Sequence, residues 1–385
     1  MAAMHEVATH AKDMHVQATA AAASERATPE GQKVAVNVAE DIAHKVEQVS
    51  ASPDGVLFAT CGEEGHVAVW HTATFKLVRK LVCPGMHDCV MRCLAWSPDD
   101  SLLATGCDDS NVPVWDVATG AVKVSLVGDG HIAASVAWSP DGLKLCSGSE
   151  GNSLERGTRY LPLRRPFPLS ERDKCAVMSL AWSPDGRKLS TSSTDLTAKV
   201  WDLATGDVLH ALAGYREAFM VAWSPDGACV ATRDSNGFVT MWDAVTKVFV
   251  CTKGKGKRGL LHIPTNTTRR SCSESVAWSP LSDMLAATFD QYVCVLEVAQ
   301  GTEPRHTLTG HTQRVTSVAW SPDGHHLATG SCDTTVRVWA IATSTLVRLI
   351  STSDTGTTPV SSVAWSPCGS LLLASSTMGV HIYDV

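Results

Sequence analysis

The hydrophobic pattern of this chain is short-ranged. Runs of five or six residues rich in β-branched, aromatic and small side chains, such as Val315–Trp320, Leu327–Ser331 and Val336–Trp339, alternate with polar turns. Runs of that length and composition predict strands rather than helices. The turns are themselves periodic. The tetrapeptide Ser52-Pro53-Asp54-Gly55 recurs, with drift in its last two places, at Ser97, Ser139, Ser183, Ser224, Ser279, Ser321 and Ser366, at intervals of 45, 42, 44, 41, 55, 42 and 45 residues. Proline presets φ at the second place, a polar residue suits the third and glycine the fourth of a type I turn, so each copy marks a hairpin.

Tryptophan follows the same period. Trp96, Trp138, Trp182, Trp223, Trp278, Trp320 and Trp365 each stand directly before a turn, and Trp70, Trp115, Trp201, Trp242 and Trp339 each lie 19 residues after that slot. These account for all twelve tryptophans of the chain. Two strands flank each turn, a third ends on the second tryptophan and a fourth follows it, for example Leu346–Ile350. Four short strands per unit predict the blade of an all-β propeller, whose closure into a ring protects the strand edges.

Trp115-Asp116, Trp201-Asp202 and Trp242-Asp243 end their strands as the units of the WD-repeat family do, and the chain resembles that family over residues 32–385. The resemblance implies a hydrogen-bonded set in which a histidine before the first strand, a serine or threonine, an aspartate in the second hairpin and the strand-ending tryptophan join. His87, Asp109 and Trp115 match it in one unit and His311, Asp333 and Trp339 in another, with Asp195 and Trp201 a partial match. Elsewhere the pattern decays. Leu296 and Tyr383 stand where tryptophan would, and the third unit has no Trp-Asp after Trp138. A half-satisfied buried network holds geometry poorly, so these blades are expected to be the less rigid ones.

The eighth unit ends at Tyr383-Asp384-Val385, short of a fourth strand. In the repeat register the missing strand falls at Val34–Val38, whose valines alternate with period two. Such spacing suits a strand packed on one face. The N-terminal strand is therefore expected to pair with Val380–Val385 and close a ring of eight four-stranded antiparallel blades, seven being the fallback if the degenerate third unit is an irregular excursion. Residues 1–31, rich in alanine with His5, His10 and His15, read as a disordered tail.

Composition narrows the function. A net charge of -7 with 18% charged residues argues against a surface built wholly for nucleic acid or anionic membrane. Thirteen scattered cysteines, without a CxxC pair, show neither a zinc motif nor a disulfide framework and fit a reducing compartment. No membrane span and no secretory signal is apparent, so cytoplasmic or nuclear residence is expected. The recurring serines, histidines and aspartates are explained by the repeat, which leaves no HExxH or GxSxG constellation; no enzyme activity, metal or cofactor is expected.

The expected role is a monomeric scaffold for other proteins or peptides in a multiprotein complex, using loops that vary over a rigid ring. An alternative lies in two basic stretches. One, at 156–172, contains Arg156, Arg159, Arg164, Arg165 and Arg172; the other contains Lys253, Lys255, Lys257, Arg258, Arg269 and Arg270. As loops entering a blade they would form a clamp for nucleic acid, a phosphopeptide or anionic lipid. The Gly-Lys run around Lys255 lacks the order of a phosphate loop.

Overall fold

The computed structural model describes residues 46–63, 65–82, 89–127, 130–149, 154–158, 161–162, 176–213, 218–234, 239–245, 275–298, 304–352, 358–376 and 379–385. The strands of the described residues group into eight antiparallel sheets, six of four strands and two of three, each a meander in chain order. The first sheet runs Val46–Ala51, Leu57–Gly62, His66–His71, Leu77–Val82, and the second Met91–Trp96, Leu102–Cys107, Val112–Asp116, Val122–Leu126. The third is Ala133–Trp138, Lys144–Ser149, Leu154–Thr158, Leu161–Pro162; the fourth is Val177–Trp182, Lys188–Ser193, Thr197–Asp202, Val208–Ala213. The fifth is Ala218–Trp223, Cys229–Asp234, Val239–Asp243, and the sixth Val276–Trp278, Met284–Phe289, Tyr292–Glu297, Pro304–Thr309. The seventh is Val315–Trp320, His326–Ser331, Thr335–Ala340, Thr345–Ser351; the eighth is Val360–Trp365, Leu371–Ser376, Gly379–Asp384.

The sheets form blades of a β-propeller, packed face to face against their neighbours. Second strands such as Leu102–Cys107 and Leu371–Ser376 are buried along their whole length, whereas fourth strands such as Val122–Leu126 and Pro304–Thr309 expose alternate residues at the rim. Close approach of the blades leaves no room for a side chain at Gly330, where a Cβ would come within 2.6 Å of Val360 Cγ1 on the next sheet.

The serine-proline turns have the expected geometry. The Gly55 amide donates to Ser52 O at 2.9 Å, and Gly55 has φ of +73°, which glycine adopts without strain. The serine is spent inside the turn. Ser52 Oγ–H donates to Asp54 Oδ1 at 2.6 Å while accepting from the Leu57 amide at 2.9 Å, and the same pairing recurs at Ser97, Ser139, Ser183, Ser224 and Ser321.

The tryptophans before the turns tie sheet to sheet. Trp138 Nε1–H donates to Ala95 O at 3.1 Å, Trp182 to Ala137 O at 3.0 Å, and Trp320 to Ala277 O at 2.9 Å. Trp96, Trp278 and Trp365 reach Ser50 O, Ala222 O and Ala319 O in the same way. In each case the acceptor belongs to the preceding sheet. Trp223 differs, its buried indole nitrogen having no hydrogen-bond partner among the described residues.

One junction is built differently. The first sheet has Ala51 in the tryptophan slot, and the residue opposite it across the ladder is Phe58. At the other sheets the corresponding pairs are Trp96 with Leu103, Trp138 with Leu145, Trp182 with Leu189, Trp223 with Val230, Trp278 with Leu285, Trp320 with Leu327 and Trp365 with Leu372. The aromatic ring has moved one strand over. Phe58 stacks on Trp70 with ring centroids 6.1 Å apart and shares a hydrophobic cluster with Leu371, Leu373, Val380 and Ile382 of the eighth sheet. Phenylalanine restores the bulk but has no N–H to donate, so first and last sheets meet through apolar contact at this position.

Two sequence expectations fall outside the described residues: the tail 1–31 and the pairing of Val34–Val38 with the last strand. A third needs correcting. Arg156, counted with a basic inter-blade loop, lies within the strand Leu154–Thr158, where its Cα is paired with that of Cys146. The third unit forms its hairpin through the backbone ladder, which does not depend on the tryptophan that the pattern lacked there.

Candidate functional site

The best-formed polar site is the set in the seventh sheet, and it assembles from four segments. Trp339 lies near the end of the third strand, Thr329 is on the second, opposite Arg337, Asp333 lies in the hairpin between the two strands, and His311 enters from the segment before the first strand. Trp339 Nε1–H donates to Thr329 Oγ1 at 3.0 Å; Thr329 Oγ1 and His311 Nε2 are 2.8 Å apart; His311 Nδ1 and Asp333 Oδ2 are 2.9 Å apart. An indole can only donate and a carboxylate only accept. The relay therefore runs from Trp339 through the Thr329 hydroxyl to a neutral His311 whose Nδ1–H points at Asp333.

Burial fits that protonation state. His311 is 6% exposed and its burial, larger than the attraction of Asp333, holds its pKa below the ordinary 6.5. Burial pushes the Asp333 carboxyl the other way, yet Thr335 Oγ1–H at 2.6 Å, the Thr312 amide at 2.9 Å and His311 outweigh it and hold the carboxyl below 3.8. The set is saturated and structural.

The partial matches fill the same frame differently. Asp195 accepts from Thr197 Oγ1–H at 2.7 Å and from Lys199 Nζ at 2.9 Å, and these bonds outweigh burial to lower its pKa. The lysine stands at the register of Arg337 of the seventh sheet, four residues after its aspartate. Asp109 accepts from the Asn111 amide at 3.0 Å and from its Nδ2 at 2.9 Å, while His87 lies outside the described residues.

The threonine was the member left unnamed by the sequence pattern. Trp70, Trp115, Trp201 and Trp242 donate to Thr60, Thr105, Thr191 and Thr232, each ten residues earlier. In two of the three units that lack the tryptophan the hydroxyl is missing too, Ala286 preceding Leu296 and Leu373 preceding Tyr383 by the same ten positions, whereas the third unit keeps Ser147 ten residues before Gly157. Tyr383 shows the cost of mixing the two patterns. Its buried hydroxyl has no hydrogen-bond partner among the described residues, and burial raises the phenol pKa.

The turn carboxylates are equally committed. Hydrogen bonds from Ser139, Ser183 and Ser321 hold Asp141, Asp185 and Asp323 below the usual carboxylate range, which suits acceptors in turns and not proton donors near neutral pH. The proposed partner-binding residues Arg164, Arg165, Lys253, Lys255, Lys257, Arg258, Arg269 and Arg270 lie outside the described residues. For metal, the described residues bring together Cys89, Cys107 and Asp109, whose ligand atoms all lie within 4.8 Å of one another. No helix among the described residues is long and apolar enough to cross a membrane.

A family model described as "WD domain, G-beta repeat" matches residues 37–71, 76–116, 123–154, 168–202, 302–340 and 347–384, more than half of the chain. Among curated proteins, the chain is 36% identical over 94 residues to "Probable cytosolic iron-sulfur protein assembly protein 1" of Candida glabrata, covering 22% of this chain and 28% of that one. It is 36% identical over 74 residues to "Ribosome biogenesis protein BOP1 homolog" of Anopheles gambiae, and 41% over 73 residues to the Drosophila virilis protein of that name. Those two matches cover 19% of this chain and 8% and 9% of the relatives, so the chain spans less than a tenth of their length. Among solved structures, the computationally designed Ika8 protein superposes with a TM-score of 0.72 at 20% identity, over 92% of this chain and 100% of that one. That likeness supports the fold alone.

Proposed function

Because the chain belongs to the WD-repeat family, we propose that it acts as a non-catalytic scaffold that holds other proteins within a multiprotein complex. The observation carrying this reading is that its polar chemistry is turned inward. His311, Asp333 and Thr329 saturate one another, and the turn aspartates are bonded to their own serines. What varies from unit to unit is the loops, on a frame whose repeated bonds keep them in place. The names of two relatives, an iron-sulfur assembly protein and a ribosome biogenesis protein, are in keeping with work in assemblies in the cytoplasm or nucleus.

The ring is read as eight blades, closed when Val34–Val38 adds a fourth strand to Gly379–Asp384. Support comes from the eight sheets, from the three-stranded state of the last one among the described residues, and from the apolar cluster joining it to the first. With its edges paired the ring is expected to be a monomer. The basic stretches around 156–172 and 253–270 supply the rival reading, capture of a phosphate-bearing ligand.

Affinity purification of the full chain with crosslinking and mass spectrometry separates the two. The scaffold reading expects a protein partner at near-stoichiometric level, retained after nuclease treatment and at raised salt. It fails if no protein co-purifies at that level. It also fails if retention is confined to nucleic acid or lipid and disappears when Lys253, Lys255, Lys257, Arg258, Arg269 and Arg270 are replaced by serine.

A further inference from the structure

We propose that Cys89, Cys107 and Asp109 form a zinc site at the loop end of the second sheet. Their ligand atoms, two sulfurs and a carboxylate oxygen, already lie within 4.8 Å of one another. Two thiolates bound to one tetrahedral zinc at about 2.3 Å stand roughly 3.8 Å apart, so closing on the ion needs only small side-chain movement. Cys89 lies 18 residues before Cys107, and Asp109 follows two residues after it, a spacing that matches no zinc motif.

The backbone brings the two sides together and keeps them there. Cys107 ends the second strand, opposite Met91 in the ladder, and Cys89 enters two residues before Met91. The Asp108 amide donates to Val90 O at 3.1 Å, clasping the entering segment to the hairpin. Arg92 grips the Asp108 carboxylate with Nε at 2.7 Å and Nη2 at 3.0 Å. Asn111 orients Asp109 with two bonds, and carboxylate oxygens retain lone pairs beyond those bonds.

Comparison with the seventh sheet shows that the second has exchanged oxygen for sulfur. Ser331, at the position of Cys107, has its hydroxyl near Gln313 O at 3.0 Å and Arg314 O at 2.9 Å and accepts from the Asp333 amide at 3.1 Å. Cys107 instead lies 3.1 Å from the Met91 sulfur, beside Cys89 and fully buried. Thiols replace a hydroxyl poorly as hydrogen-bonding groups but bind soft and borderline cations well. A divalent ion offsets the charge of two thiolates and a carboxylate better than a monovalent one, which favours zinc over copper(I). Cys107 supplies the buried anchor, and the half-exposed Cys89 and exposed Asp109 leave a route from solvent.

The test uses the full chain, purified reduced and stripped of metal, with cobalt(II) as a spectroscopic probe and zinc as competitor. One cobalt per chain with a thiolate-to-cobalt charge-transfer band, displaced by zinc, is expected. Cys89→Ser and Cys107→Ser should each weaken binding at least about 100-fold, the upper end of the loss seen for outer-shell partners alone. Asp109→Asn should weaken it by a smaller factor. Cys107→Ser should still fold, because Ser149, Ser193, Ser331 and Ser376 hold the same place in other sheets. A natively melting reduced protein without the band overturns the proposal. So does a band unchanged in both serine variants, binding of copper(I) only, or a pair that merely forms a disulfide under a disulfide oxidant while ignoring cobalt.

Discussion

Replacing Thr329 with valine keeps the shape of the side chain and removes one hydroxyl. That hydroxyl is 0% exposed and stands between the Trp339 indole at 3.0 Å and His311 Nε2 at 2.8 Å. Both partners are themselves buried, and water cannot take the place of the lost atom. Leaving a buried polar group unpaired costs about 1–3 kcal/mol, so two such groups should cost about 2–6 kcal/mol. The matched control is Thr60→Val, which removes only the 3.3 Å bond from Trp70 in the first sheet and should cost about 1 kcal/mol. Urea unfolding followed by tryptophan fluorescence gives the two losses, and amide hydrogen exchange over Thr335–Ala340 localises the first. If Thr329→Val costs no more than Thr60→Val, the relay through His311 contributes nothing and the assignment of its tautomer is wrong.

Acidification should destabilise the protein through the same residues. The pKa of His311 is depressed in the fold, so between that value and 6.5 the unfolded chain binds a proton that the folded chain refuses. Stability should therefore decline as pH falls from about 7 toward the folded value and level off below it, a slope that His311→Asn should flatten in melting curves taken across pH. Asp333 adds a separate loss at lower pH, beginning near 3.8 and continuing through its depressed folded value. At the last turn, Cys368 stands where six other turns carry aspartate, 3.3 Å from Ser366 Oγ. Cys368→Asp should restore the short serine bond and raise stability by about 0.5–1.5 kcal/mol in urea unfolding. Deleting residues 32–39 should lower the melting temperature markedly if Val34–Val38 completes the last sheet, and an unchanged melt would remove that closure from the account.

Much of the architecture could be read from two residue types because each has a single geometric task. Serine-proline turns must sit between strands, and a tryptophan that recurs at two fixed slots marks the end of a strand and the start of a hairpin. The hydrogen-bond sets were legible in part: His311, Asp333 and Trp339 came from one unit, but Thr329 did not stand out among many threonines. Its signal is the ten-residue spacing to tryptophan, together with its loss at Ala286 and Leu373 where the indole is lost. The bonds from Trp96, Trp138 and Trp182 to carbonyls on the preceding sheet were illegible, since their partners lie 46, 43 and 45 residues away and any residue offers a carbonyl. Arg156 was misplaced for a related reason. Charge suggests a loop, but a strand is fixed by the hydrogen bonds of its ladder, which do not depend on the charge of a side chain. Cys89, Cys107 and Asp109 meet only because a hairpin and an entry segment fold onto each other, which no spacing rule encodes.

The exchange of an indole for a phenyl ring between Ala51 and Phe58 leaves the joint between the first and last sheets without the usual rivet. Six neighbouring pairs are riveted by a directional bond, whereas the first and last sheets meet there by apolar contact alone among the described residues. Strain from heat, pulling or a partner wedged between sheets would fall first on the joints that lack the rivet, this one and the one at Trp223, while the bonded segments stay stacked.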